Sequence, residues 1–135
     1  MNDKYMKEHL RWLEQSKYDF NLAKKLMSTE FSIACFLFQQ SAEKIIVSYL
    51  VLKGSGKVWG SSISDLAEDC IPMDPTFDFL KSYGPILDKY LYSTRYPTYS
   101  ISGSPFQIFT KEDAEKAKEI CEEVIKFCKE KLKEI

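Results

Sequence analysis

The sequence predicts an all-α protein, an antiparallel up-down four-helix bundle with one extra short helix, filling residues 1–135 as a single domain. Three observations carry that prediction. Glycine and proline, five of each, cluster between residues 54 and 105, leaving a long breaker-free stretch on either side. Within those stretches apolar residues recur at steps of three, four and seven, which is the helical period. No segment of useful length alternates with the period of two that a strand requires, and there is no internal repeat. At 135 residues, 44% apolar and 29% charged, the chain has the size and composition of an ordinary globular domain with one core.

The first helix is expected over residues 4–27, with Leu10, Leu13, Phe20, Ala23 and Met27 inward and lysines and glutamates outward; 24 residues span about 36 Å. Ser28, Thr29 and Glu30 break the pattern. The second helix, residues 32–53, is apolar around most of its circumference, so either several neighbours or a partner chain must bury it. A polar island interrupts it at Gln39, Gln40, Ser41, Glu43 and Lys44. Lys53-Gly54-Ser55-Gly56 reads as its stop, with Gly54 placed for a left-handed cap.

A short third helix over residues 62–70 takes Ser61 or Ser62 as its cap. Asp74 before Pro75 opens a fourth helix over residues 75–91, with Phe77, Leu80, Tyr83, Leu87, Tyr90 and Leu91 inward and Gly84-Pro85 as a kink or interruption. Tyr92 to Phe109 is an aromatic, proline-bearing loop, because the residues before Pro97 and Pro105 are pushed toward extended backbone. Thr110 caps the last helix, with Asp113 three residues on in the place of a capping-box glutamate. Its seam is Ala114, Ala117, Cys121, Val124, Cys128 and Leu132, and the lysines and glutamates from Lys111 to Glu134 form a solvated face.

A formal net charge of −1 and a pI near 5.9 disfavour nonspecific DNA binding by phosphate neutralisation. Cys35, Cys70, Cys121 and Cys128 lie in apolar patterns without CxxC spacing and read as core thiols. With His9 as the single histidine there is no zinc constellation, and no metal or cofactor is expected. No run reaches membrane-spanning length and the N-terminus lacks an apolar signal core, so a cytoplasmic protein with reduced thiols is expected.

The run Phe36-Leu37-Phe38-Gln39-Gln40-Ser41-Ala42-Glu43-Lys44 resembles the second-helix core of HEPN (higher eukaryotes and prokaryotes nucleotide-binding) domains. Tyr92 to Pro97 is similar to that family's arginine-tyrosine-proline segment, and Thr110 to Ala114 to the opening of its final helix. The likeness runs in order along nearly the whole chain. It implies a helical bundle, commonly a homodimer, often set beside a minimal nucleotidyltransferase in a toxin–antitoxin-like pair, and linked to nucleotide or RNA. Ribonuclease members carry an arginine, then four to six variable residues, then a histidine. Counting from Arg95, those places hold Ser100, Ile101 and Ser102, so the imidazole that moves the proton near neutral pH is missing. No catalytic residue is assigned.

Arg95 is the leading binding candidate, since a guanidinium stacks on rings and still grips phosphate. Tyr92, Tyr96 and Tyr99 are placed to stack a base. The bland alternative has Arg95 paired with Glu43 or Asp88, bracing the loop while the tyrosines complete the core. The resemblance adds that a nucleotidyltransferase partner modifies a tyrosine near the motif, which would be Tyr96 or Tyr99; plain buried-edge tyrosines are the alternative. Gln40, Glu43 and Lys44 need polar partners inside an apolar helix, at a dimer seam, a loop contact or a ligand pocket. His9 is expected at the surface. Three functions compete: a homodimeric nucleotide- or RNA-linked binding module, a divergent ribonuclease toxin with His9, Tyr99 or Glu43 replacing the histidine, and a purely structural scaffold.

Overall fold

Where the chain is free of breakers it makes three long helices: α1, Asp3–Leu26; α2, Phe31–Leu52; and α7, Lys111–Lys133. They belong to a computed structural model that describes residues 3–55 and 62–133. Gly56 and Ser61, named above in the stop and as an alternative cap, lie outside the described residues. Between α2 and α7 the breakers cut the chain into shorter pieces. These are α3 (Ile63–Cys70), a 3-10 segment (Pro75–Ser82), α4 (Gly84–Asp88), α5 (Tyr90–Ser93), a 3-10 turn (Pro97–Tyr99) and α6 (Pro105–Ile108). No strand occurs among the described residues.

The local signals act as their chemistry requires. Ser62 caps α3 by accepting from the Asp65 amide at 3.0 Å, and Asp74 accepts from the Thr76 amide at 3.0 Å ahead of Pro75. Gly54 sits at φ 87°, donating to the Val51 carbonyl while Ser55 donates to Leu50, the paired bonds of a Schellman stop. Thr110 and Asp113 exchange bonds at the start of α7: the Asp113 amide donates to Oγ1 at 3.2 Å and the Thr110 amide to Oδ2 at 2.9 Å.

The fourth helix differs from the expectation of one rod over 75–91. It is a 3-10 segment followed by two short helices, divided around Gly84-Pro85 and again at Lys89. Proline has no amide to donate, and Gly84 lets the rod press onto α3: a Cβ there would stand 3.1 Å from the Ser64 amide nitrogen. Of the residues the sequence marks inward, Phe77, Leu80, Leu87 and Tyr90 are buried, while Tyr83 and Leu91 are half-buried.

Neighbour relations fix the topology. Ser16 meets Ser41 and His9 meets Ser48, so α1 and α2 are antiparallel. Tyr49 packs on Phe77 (centroids 4.5 Å apart) while Tyr90 senses Cys35, so the segmented rod also runs against α2. Asp113 lies near Cys35 and Cys121 near Ser41, so α7 runs with α2. This is the up-down order of the predicted bundle, with α3 as the extra short helix. The four helical layers meet on α2, of whose 22 residues 16 are buried. Several neighbours within one chain therefore cover the apolar second helix, and no twin subunit is needed to hide it.

The inner face of α1 is the main correction to the sequence reading. Its buried residues are His9, Ser16, Asp19 and Ala23, whereas Leu10 is exposed. His9, expected at the surface, is 6% exposed with Nδ1 3.0 Å from the Ser48 carbonyl. Ser16 and Ser41 each donate to the other's carbonyl, at 2.7 and 2.8 Å. Small polar side chains that satisfy one another let the two helices approach closely.

Candidate functional site

The site starts where α5 ends. Thr94 is buried and its hydroxyl donates to the Tyr90 carbonyl at 2.6 Å, while Tyr96 takes extended backbone ahead of Pro97. Arg95, between them, folds back: Nε and Nη2 donate to the Leu91 carbonyl at 3.1 and 2.5 Å. Its guanidinium carbon lies 4.2 Å from the Phe36 ring centroid, 5.2 Å from that of Tyr96 and 5.6 Å from that of Tyr92. No carboxylate among the described residues stands within ion-pair range of it. Glu43 and Asp88, the partners of the bracing alternative, are engaged elsewhere. Arg95 is thus an exposed cation held by rings and one carbonyl.

The three tyrosines are exposed rather than buried at a core edge. Tyr92 and Tyr99 stack with centroids 6.1 Å apart and planes 20° from parallel. Both line an open cleft of about 480 Å³ whose wall also includes Tyr90, Phe109, Asp88, Lys89 and Asp113. Burial pushes the Tyr90 phenol up to about 12, so it is a neutral group there. Lys89 places Nζ 5.3 Å from the Tyr90 ring centroid. Asp88 accepts from the Ile63 amide at 2.6 Å and from the Ser64 amide and hydroxyl at 3.1 and 2.8 Å. Asp113 accepts from Thr110 through Oδ2.

Within the chain, the polar island of α2 forms a network that reaches α1. Lys44 Nζ is 2.5 Å from Asp19 Oδ2, and Gln15 donates to Asp19 Oδ1 at 2.9 Å. Gln40 donates to Gln39 at 2.8 Å and Gln39 to Glu43 at 3.2 Å. Burial raises the Glu43 carboxyl above its ordinary range, opposed by the Gln39 bond and the Lys44 charge. Phe36, Gln40 and Lys44 recur every four residues and are half-buried; with exposed Ile33 they form the uncovered stripe of α2. Arg95 lies on this stripe at Phe36. The structure therefore joins Arg95, Tyr92, Tyr96 and Tyr99, sets Gln40 and Lys44 on the same face of α2, and leaves Glu43 buried behind it.

His9 is not near this place within the chain. Its partner Ser48 lies twelve residues along α2 from Phe36, about 18 Å on a helix rising 1.5 Å per residue. Ser100, where a histidine would begin to be counted, turns its hydroxyl to the Pro97 and Gly103 carbonyls. Among the described residues no three His, Cys, Asp or Glu side chains gather as metal ligands, and no helix is long and apolar enough to cross a membrane. Sequence reading missed Phe36 as the platform for Arg95 and missed the cleft residues Asp88, Lys89, Phe109 and Asp113. The QQSAEK run flagged the helix, but nothing in spacing tied it to the loop.

A model of the HEPN domain matches residues 9–132. Among solved structures, TT1696 from Thermus thermophilus superposes with a TM-score of 0.83 at 31% identity, covering 91% of this chain and 97% of that one. ST0689, described as an archaeal HEPN homologue, superposes with a TM-score of 0.72 at 29% identity, covering 91% and 96%. Among curated proteins nothing matches.

Proposed function

The chain belongs to the HEPN domain family, and on that premise we propose that it is a homodimeric nucleotide- or RNA-binding module acting beside a minimal nucleotidyltransferase. Arg95 takes the phosphate, and Tyr92, Tyr96 and Tyr99 take the ring. The observation that carries this reading is the Arg95 geometry: an exposed arginine whose guanidinium carbon lies 4.2 Å from the Phe36 ring centroid and whose Nε and Nη2 are fixed to the Leu91 carbonyl. Such preorganisation spares the entropy of ordering a long cation at each encounter.

The dimer is read onto the uncovered stripe of α2, where Ile33 is exposed and Phe36, Leu37, Gln40 and Lys44 are half-buried. Gln40 and Lys44 then lie at the seam, and Glu43 supports them from behind. The exposure of Tyr96 and Tyr99 suits a partner that modifies tyrosine, in keeping with a toxin–antitoxin-like pair. Four buried free thiols suit a reducing cytoplasm.

The test is titration of wild type and Arg95→Ala with a short single-stranded RNA. Wild type is expected to bind at least tenfold more tightly. Arg95 is the single charged residue between Lys89 and Lys111, so one phosphate contact per chain predicts a shallow salt slope of about −0.7. Equal binding by both proteins, or none by either, refutes the reading. Sedimentation checks the dimer, which Ile33→Glu is expected to split.

A further inference from the structure

The cleft next to Arg95 differs from it in charge. Its wall holds two carboxylates, Asp88 and Asp113, against one ammonium, Lys89. A phosphate inside would meet a net negative surface, whereas a flat group presenting N–H donors finds both acceptors and aromatic faces. Both oxygens of Asp88 are already engaged by the start of α3. Asp113 is different: Oδ2 receives the Thr110 amide and hydroxyl, and Oδ1 has no partner among the described residues. The stacked pair Tyr92 and Tyr99 supplies the flat surface, and Tyr92 is also a ring partner of Arg95.

Nucleobases differ in what they offer such an acceptor. Guanine sets two adjacent N–H groups against it. Adenine and cytosine offer one amino group flanked by a ring-nitrogen acceptor, and uracil one N–H flanked by two carbonyls that a carboxylate repels. We propose that the cleft is a nucleobase pocket in which Asp113 reads the amino-bearing edge, guanine best and uracil worst, with the ring against Tyr92 and Tyr99 and the phosphate outside at Arg95. This rests on the nucleotide reading above for its ligand class and adds the base it selects.

The experiment is calorimetric titration of wild type, Asp113→Asn and Tyr99→Leu with GMP, AMP, CMP and UMP. Wild type is expected to prefer GMP over UMP by about tenfold or more. Asparagine still offers one oxygen to Thr110, so the fold survives, which a melting curve checks. In Asp113→Asn the preference collapses; in Tyr99→Leu all four ligands weaken together. Guanosine without phosphate competes with GMP in wild type, a readout that needs no variant. UMP binding as tightly as GMP, a GMP preference that survives Asp113→Asn, or indifference to Tyr99→Leu each overturns the pocket. RNA binding that depends on Arg95 but shows no base preference sinks the pocket and spares the binding module. No binding of any nucleotide or RNA sinks both.

Discussion

Asp88 in α4 holds Ser64 at the start of α3 by two bonds, from its amide at 3.1 Å and its hydroxyl at 2.8 Å. The neighbouring Ile63 amide gives a third, so one helix satisfies donors that the first turn of another leaves without intrahelical partners. The grip draws the rod close enough that Gly84, one turn earlier, has no room for a methyl group. Gly84→Ala is expected to destabilise the protein by about 1–3 kcal/mol through overpacking. Asp88→Ala is expected to cost about 1–2 kcal/mol through the lost cap. Urea denaturation measures both; a neutral Gly84→Ala would mean that the rod and α3 do not meet this tightly.

The Lys44–Asp19 pair is nearly out of water on the acid side, with side-chain exposures of 20% and 6%. Lys44→Met leaves the Asp19 carboxylate with Gln15 alone. The cost should be about 1–3 kcal/mol, less than for a fully buried pair because the lysine still reaches solvent. Adding Asp19→Leu should restore part of that loss. A double-mutant cycle with purely additive effects would deny the coupling.

Glu43 makes stability depend on pH in an identifiable direction. Burial holds its carboxyl above the ordinary 4.5 in the folded protein. Between 4.5 and that raised value the folded state keeps a proton that the unfolded state has released. The stabilisation is therefore complete below 4.5 and is lost as pH rises through the folded value. Glu43→Gln, which still accepts from Gln39, should melt at a higher temperature than wild type at pH 7, and the gap should close by pH 4. A gap that does not change with pH would contradict the raised carboxyl.

Gly54 is the stop of α2 at φ 87°, where an L side chain is strained. The Tyr5 ring also leaves little space, since an added Cβ would stand 3.2 Å from it. Gly54→Ala should cost about 1–2 kcal/mol, and Gly54→Asn less. Thermal melts of the two variants give the order directly.

Burial pushes the thiols of Cys35, Cys70 and Cys121 up to about 12, and that of Cys128 well above its ordinary 9.0. Almost no thiolate exists at pH 8, so a thiol reagent should find nothing to attack in the native protein and four groups in denaturant. Rapid native labelling of any one of them would refute its burial.

The sequence made the three long helices and their caps legible, because capping and periodicity are local. Ser62, Asp74, Gly54 and Thr110 all act where their chemistry put them. The apolar part of the inner face of α1 was legible in Leu13, Phe20 and Ala23, with Met27 just past its end. Its polar part was hidden because a count of apolar residues treats Ser16, Asp19 and His9 as solvated, whereas each has a partner on α2. The breaks in the fourth helix were announced by Gly84-Pro85, but their extent depends on contact with α3. Arg95 and its tyrosines stood out as a cluster along the chain. Phe36 did not, being 59 residues away in an ordinary core pattern. The cleft was invisible for the same reason, since Asp113 read only as a cap and Asp88 only as a partner for Arg95.

That α2 is enclosed by neighbours while the pieces from Gly84 to Ile108 are of three to five residues each predicts a steep gradient of amide exchange. Deuterium should enter α5, α6 and the turns around Arg95 within the earliest time points and reach the middle of α2 only when the whole molecule opens. Among the described residues, the segments around Arg95 are then the pliant part, laid over the slowest-breathing helix.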